Sequence, residues 1–218
     1  MSQALRRQSV VDELAAVLRT AILDGTIPAG APLREVELSE RYAVARHTLR
    51  AALQRLAAEG IVVIEPHRGA RVAMLDIEQL MGLFELRTAL EVEAARLALE
   101  RHDGTLPSEV HQALARLVAV TRRPRVGWSA IAKAHADLHA SIVAAAGSPR
   151  LAAEYERLAA ELSLFVLQLK PVWPPDRMRT HHEELIAGLE SDGPEVLRRH
   201  LLDGAAAVLE TAGAAGPG

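Results

Sequence analysis

Residues 46–73 read RHTLRAALQRLAAEGIVVIEPHRGARVA, and the change of period inside this stretch decides the fold. From Arg46 to Glu59, Leu49, Ala52, Leu53 and Leu56 recur every three or four residues, the spacing of one helical face. Gly60 ends that helix. Ile61 to Ile64 is β-branched throughout and predicts a strand, Pro66-His67-Arg68-Gly69 a turn, and Ala70 to Ala73 a returning strand. Upstream, Val11, Leu14, Ala15, Leu18 and Ile22 mark a helix over 10–23, closed by Asp24-Gly25. Ile27 to Gly30 is a tight connection with no room for regular structure. Glu35 to Tyr42 is a short helix with Leu38 facing inward, and Ala43-Val44-Ala45 makes the turn into the third. Three helices followed by a β-hairpin is the order of a winged helix-turn-helix.

From Asp76 the period is helical to the end, with helices expected at about 76–101, 107–121, 128–146, 149–172, 177–191 and 194–212. Asp76 is a candidate cap, and Pro107, Pro149 and Pro194 stand near helix starts, where a missing N–H costs little. The chain therefore reads as mainly α: a winged helix-turn-helix over 1–75 and an all-helical bundle of about six helices over 76–218. No internal repeat is visible. The tail Gly213 to Gly218 is expected to lack fixed structure.

Composition narrows the function classes. The 218 residues include no cysteine, which excludes disulfides, thiolate nucleophiles and thiolate metal ligands, so a metal would have to use His, Asp or Glu. Aromatics are 3 %, too few for a platform on which single-stranded nucleic acid stacks. No apolar run is long enough for a bilayer, and Met1 to Arg7 does not resemble a signal peptide, so a cytoplasmic location is expected.

Charge is uneven. The chain carries a net −3, yet residues 1–75 hold ten Arg and no Lys against eight acids. Between Arg41 and Arg71 six Arg face only Glu59 and Glu65. Such a patch is either a solvated face or a phosphate-binding module. Arg46, His47, Thr48 and Arg50 sit at the start of the third helix, opposite its apolar face, where a recognition helix enters the major groove. Arg46 and Arg50 are four apart and project together. Arginine can grip guanine O6 and N7 with two parallel bonds. At the hairpin tip His67, Arg68 and Gly69 can approach the DNA backbone or the minor groove. One winged helix reads few base pairs, so a homodimer on double-stranded operator DNA is expected.

These residues resemble a known family. Pro28-Ala29-Gly30, Glu37-Leu38-Ser39, Arg46 to Arg50, Glu59-Gly60 and Arg68-Gly69 are similar to the DNA-binding domain of GntR-type bacterial transcription regulators. Four positions depart from it. Val36 stands where the family often has Arg, leaving Arg34 as the substitute contact. Ala45 replaces the usual Ser, and Thr48-Leu49 the usual Pro-Val. The remainder resembles the FCD ligand-binding domain of the FadR subfamily through Phe84-Glu85-Leu86-Arg87, Leu90-Glu91, Asp137-Leu138-His139 and Ala146 to Leu151.

Within that bundle His135 and His139 are four apart on one helix and share a face, while His182 and His200 lie on two later helices. Three helices can thus direct four imidazoles inward, a donor set suited to zinc first, and to nickel or another transition metal. In the resembling family the first ligand is usually Asp, and here His135 holds that place, while Asp137 points to another face. The stretch from His182 to His200 is about one turn shorter than in the family, which preserves the face. His102 and His111 are expected in solvent, and only one of His181 and His182 inward. Arg87 lies on the core stripe. It either pairs with Glu91 or anchors a ligand carboxylate bidentately.

The resemblance implies a DNA-binding transcription regulator, most often a repressor, controlled by a small organic acid held at the metal. A regulator whose signal is the metal itself is the alternative. A metal-dependent enzyme is disfavoured, because no His-Glu-x-x-His motif is present and Glu183 and Glu184 point away from the face of His182.

Overall fold

The structure is a computed structural model that describes residues 3–214. The chain divides between Met74 and Leu75 into two compact units.

The first unit runs α1 (Gln3–Leu23), β1 (Pro32–Leu33), α2 (Glu35–Arg41), α3 (Arg46–Ala58), β2 (Val62–Glu65) and β3 (Gly69–Val72). Leu14, Ala15, Leu18 and Ile22 of α1 pack on the buried face of α3, formed by Leu49, Ala52, Leu53 and Leu56. That is the face the three- and four-residue spacing picks out. The wing is larger than a hairpin. The sheet has three strands in the order β1-β3-β2, with Leu33 opposite Ala70 and Glu65 opposite Gly69. β1 consists of two residues, one a proline without an N–H, so its pairing is written in β3 and not in its own pattern. The backbones of Gly30 and Ala31 complete the ladder to Val72.

The second unit contains α4 (Ile77–Arg101), α5 (Ser108–Thr121), α6 (Trp128–Ala145), α7 (Pro149–Glu156), α8 (Ala159–Leu169), α9 (Pro175–Asp192) and α10 (Glu195–Ala214). Asp76 caps α4 in a full capping box: its side chain accepts from the Gln79 N–H, and the Gln79 side chain accepts from the Asp76 N–H. The helix α6 is central and packs against α4, α5, α7 and α8, while α10 lies along α4 and α9.

Two expectations are corrected. The single helix over 149–172 is two helices: at the junction the Leu158 N–H bonds to Tyr155 O, three residues back, and α8 restarts from Leu158. The buried series Tyr155, Leu158, Leu162, Phe165, Leu169 runs through the junction unbroken, so nothing in the periodicity announces it. The bundle accordingly has seven helices among the described residues. At the far end Gly213 and Ala214 belong to α10 and are not part of an irregular tail; residues 215–218 lie outside the described residues.

The chain leaving β3 is held at its first step into the second unit. The Gln168 side chain on α8 accepts from the Leu75 N–H at 3.1 Å and donates to the Leu75 carbonyl at 3.0 Å. No helix among the described residues is long and apolar enough to cross a membrane.

Candidate functional site

Two clusters carry chemistry, one in each unit. In the first, α3 begins at Arg46 with Arg46, His47 and Arg50 exposed, Thr48 half-buried and Leu49 buried beneath them. Arg46 and His47 make no hydrogen bond or ion pair among the described residues. Arg50 is different: its Nε–H donates to both carboxylate oxygens of Glu35 on α2, at 2.9 and 2.8 Å. Arg34, just before α2, pairs with Glu37 at 3.0 Å in full solvent. Arg55, further along α3, pairs with Asp12, and Arg19 grips Glu59 at 2.8 and 2.6 Å, so these two cations tie α1 to α3. At the wing tip the Arg68 N–H donates to Glu65 O, closing a turn over Pro66 and His67. His67 there takes φ +64°, a left-handed value that favours glycine, and Gly69 follows at φ +82°. The turn pushes His67 and Arg68 outward, and Arg68 is among the most exposed side chains of the unit at 82 %.

In the second unit His135 and His139 of α6 and His182 of α9 are buried, with ligand-capable atoms all within 4.8 Å of one another. His200 of α10 is also buried. Its ring lies 4.6 Å from that of His182 and 5.4 Å from that of His139, where it walls the trio. The sequence expectation that only one of His181 and His182 faces inward is too strict. His182 is fully buried, yet His181 is half-buried and stacks on His200 with centroids 4.4 Å apart, because Trp173 supports its other side at 4.6 Å.

Two of the rings are oriented by a neighbour. His182 Nδ1 donates to the Met178 carbonyl at 2.6 Å, and His139 Nδ1 to Glu91 Oε2 at 2.7 Å. Both partners only accept, so the Nε2 lone pairs are left to face each other at 3.3 Å. Two unprotonated nitrogens at that distance repel unless a metal ion or a shared proton stands between them. Two imidazole nitrogens bound to one tetrahedral zinc ion are separated by about 3.3–3.4 Å, given bonds of about 2.0–2.1 Å. In addition His135 Nδ1 and His200 Nδ1 are buried with no hydrogen-bond partner. The donor set therefore fits a borderline transition metal. Burial, and after it the charge of neighbouring rings, pushes the pKa values of His135, His182 and His200 well below the ordinary histidine value, so these three are neutral and ready to ligate.

Behind His139 lies a buried ion pair. Arg87 Nε donates to Glu91 Oε1 at 2.7 Å, and both side chains are almost wholly enclosed. The guanidinium lies against the rings of Phe84 and Phe165, 5.4 and 5.6 Å from their centroids, and the two rings meet each other edge to face at 4.9 Å. Burial raises the Glu91 pKa, but Arg87 and His139 outweigh it and carry it down to about 2. Glu91 thus stays ionised while it serves two partners. Burial raises the Tyr155 hydroxyl well above its ordinary value, with Glu91 adding to this. The void beside the histidines is small, about 10 Å³, walled by Phe84, Arg87, Phe165, Leu169 and Trp173 among others. The roles of Trp173 and Tyr155 were not signalled by sequence: each reaches the site from an element that holds none of the four histidines. His102 and His111 are exposed, and Asp137 faces outward to Lys133 at 2.8 Å.

Comparison with known proteins agrees with this division. Residues 10–72 match the model of bacterial regulatory proteins of the gntR family, and residues 82–203 match the FCD domain. A probable D-xylose utilization operon transcriptional repressor of Paenarthrobacter nicotinovorans is 29 % identical over 95 % of this chain and 91 % of its own length. The HTH-type transcriptional repressor GlaR of Escherichia coli K12 is 27 % identical over 85 % of this chain and 89 % of its own. A solved GntR-type putative transcriptional regulator from Rhodococcus sp. RHA1 superposes with a TM-score of 0.66 at 25 % identity, covering 93 % of this chain and 98 % of that one.

Proposed function

The chain belongs to the gntR family of bacterial regulatory proteins and carries an FCD domain, and from that premise we propose that the histidine centre controls its binding to operator DNA. DNA-binding transcription regulation, not catalysis, is the activity of this family and of the relatives above. The finer reading is a cytoplasmic, homodimeric repressor. Repression rests on the names of those relatives, and pairing on the few base pairs that one α3 can reach. Arg46, His47, Thr48, Arg50, His67, Arg68 and Gly69 meet the duplex, with Arg34 beside them.

His135, His139 and His182 hold a divalent metal, zinc before nickel, with His200 completing the wall or the ligand set. A metal in this place supplies a Lewis-acidic point that an anionic group can bind. The observation that carries the reading is the pair of inward Nε2 atoms at 3.3 Å, each with its Nδ1 proton already committed. A small carboxylate effector reaching the metal would meet Arg87, whose terminal amino groups would be the donors turned to it while its Nε–H stays on Glu91. The void of about 10 Å³ favours the other reading, in which the metal ion is itself the signal, because it is roughly one water probe in size.

Elemental analysis of the purified full-length protein, with His139→Ala and His182→Ala beside it, tests the centre. Near-stoichiometric metal lost in both variants supports it, and equal metal in all three proteins ends it. Binding to a duplex selected by the protein from a random pool then separates the signals. If zinc alone shifts the affinity of chelator-treated protein, the metal is the signal. If only acetate or citrate added to the zinc form does so, an organic acid is.

A further inference from the structure

Among the described side chains of the first unit, Arg50 is held in a way no other cation is. Its Nε–H alone engages Glu35, straddling both oxygens at 2.9 and 2.8 Å, and its two terminal amino groups make no hydrogen bond among the described residues. Arg19, by contrast, spends Nε and Nη2 together on Glu59 and is part-buried where α1 meets α3. Arg46 is unrestrained, and Arg68 sits a loose 3.9 Å from Glu65. Glu35 is itself anchored: it lies in the first turn of α2, where the helix dipole favours a carboxylate, and it is half-buried.

We infer that Glu35 is a specificity-positioning residue: it clamps the Nε edge of Arg50 so that the terminal amino pair projects as a fixed fork toward a guanine edge in the major groove. The inference rests on the proposed entry of α3 into that groove. Two physical consequences separate it from a surface salt bridge. First, an arginine side chain carries much rotamer freedom, part of which a free side chain must give up on docking and a clamped one already has. Second, the Glu35 carboxylate adds a negative charge near phosphates and partly neutralises Arg50, which weakens indiscriminate backbone attraction. Removing it therefore acts in opposite directions on sequence-blind and sequence-selective binding.

The test uses full-length protein and two probes at one salt concentration: the duplex it selects from a random pool, and a poly(dA-dT) duplex. Glu35→Gln preserves shape and removes the charge. The expected result is tighter poly(dA-dT) binding, by about twofold or more, together with a loss of about fivefold or more in preference for the selected duplex, approaching Arg50→Ala. In the Glu35→Gln, Arg50→Ala double variant the Glu35 change should have no further effect on preference, since it acts through Arg50. If Arg50→Ala loses preference while Glu35→Gln keeps it, the inference fails and the groove reading stands. If neither variant changes binding to either duplex, the assignment of α3 to the groove falls, and the inference with it.

Discussion

Consider the Glu91 carboxylate replaced by a methyl group. Glu91 is fully enclosed, accepts from Arg87 at 2.7 Å and from His139 at 2.7 Å, and is ionised. In Glu91→Ala the Arg87 guanidinium stays buried against two phenyl rings with no counter-charge, and the Nδ1–H of His139 loses its acceptor. Breaking one side of a buried pair costs about 3–5 kcal/mol. For a unit of this size that lowers the melting temperature by roughly 10 °C, at about 2–4 °C per kcal/mol. The decisive comparison is the Arg87→Met, Glu91→Leu double variant. It removes both charges at similar volume, so it should cost only about 1–3 kcal/mol, chiefly for the orphaned His139 donor, and be more stable than Glu91→Ala. The assay is urea or thermal unfolding of chelator-treated protein, followed by metal titration. Even where the double variant is stable, its metal affinity should be about 10- to 100-fold weaker, because nothing then sets the tautomer of His139. A double variant less stable than Glu91→Ala would refute the account of Arg87 as a buried charge that Glu91 neutralises.

Other outcomes follow from the same geometry. His135, His182 and His200 have folded pKa values below their unfolded ones, so the metal-free protein holds its full stability above about pH 6.5 and loses it as the pH falls, by up to about 1.4 kcal/mol per unit for each ring; unfolding midpoints between pH 7 and 5 check this. Glu91 adds a second loss, from its unfolded value near 4.5 down to about 2. Gly188→Ala would put a Cβ 2.9 Å from a Val196 methyl and drive α9 from α10, costing about 1–3 kcal/mol in denaturant unfolding. His67→Gly should relieve the left-handed turn and raise stability by up to about 1 kcal/mol, while removing a candidate DNA contact.

The winged fold was legible because the apolar period changes from helical to β-branched at Gly60, within one short stretch. The cap at Asp76 and the shared face of His135 and His139 are likewise local facts. What stayed hidden is tertiary. β1 exists only because β3 offers Ala31 and Leu33 an edge, and the break at Leu158 leaves the apolar spacing intact. The Arg87–Glu91 pair is visible as a spacing of four, but that Glu91 also orients His139 depends on α4 and α6 lying together, 48 residues apart in sequence. His181 looked excluded by its neighbour, as adjacent helical side chains diverge by about 100°. The turn carrying Trp173 brings the indole to it instead.

The clasp of Gln168 on Leu75 ties two matters that the chain keeps far apart. An amide side chain satisfying both backbone polar groups of one residue imitates a neighbouring strand, so the chain is moored to α8 at the first residue of the second unit. The same helix turns Phe165 and Leu169 onto the void beside the imidazoles. Any shift of α8 must therefore either carry Leu75 with it or sever two hydrogen bonds.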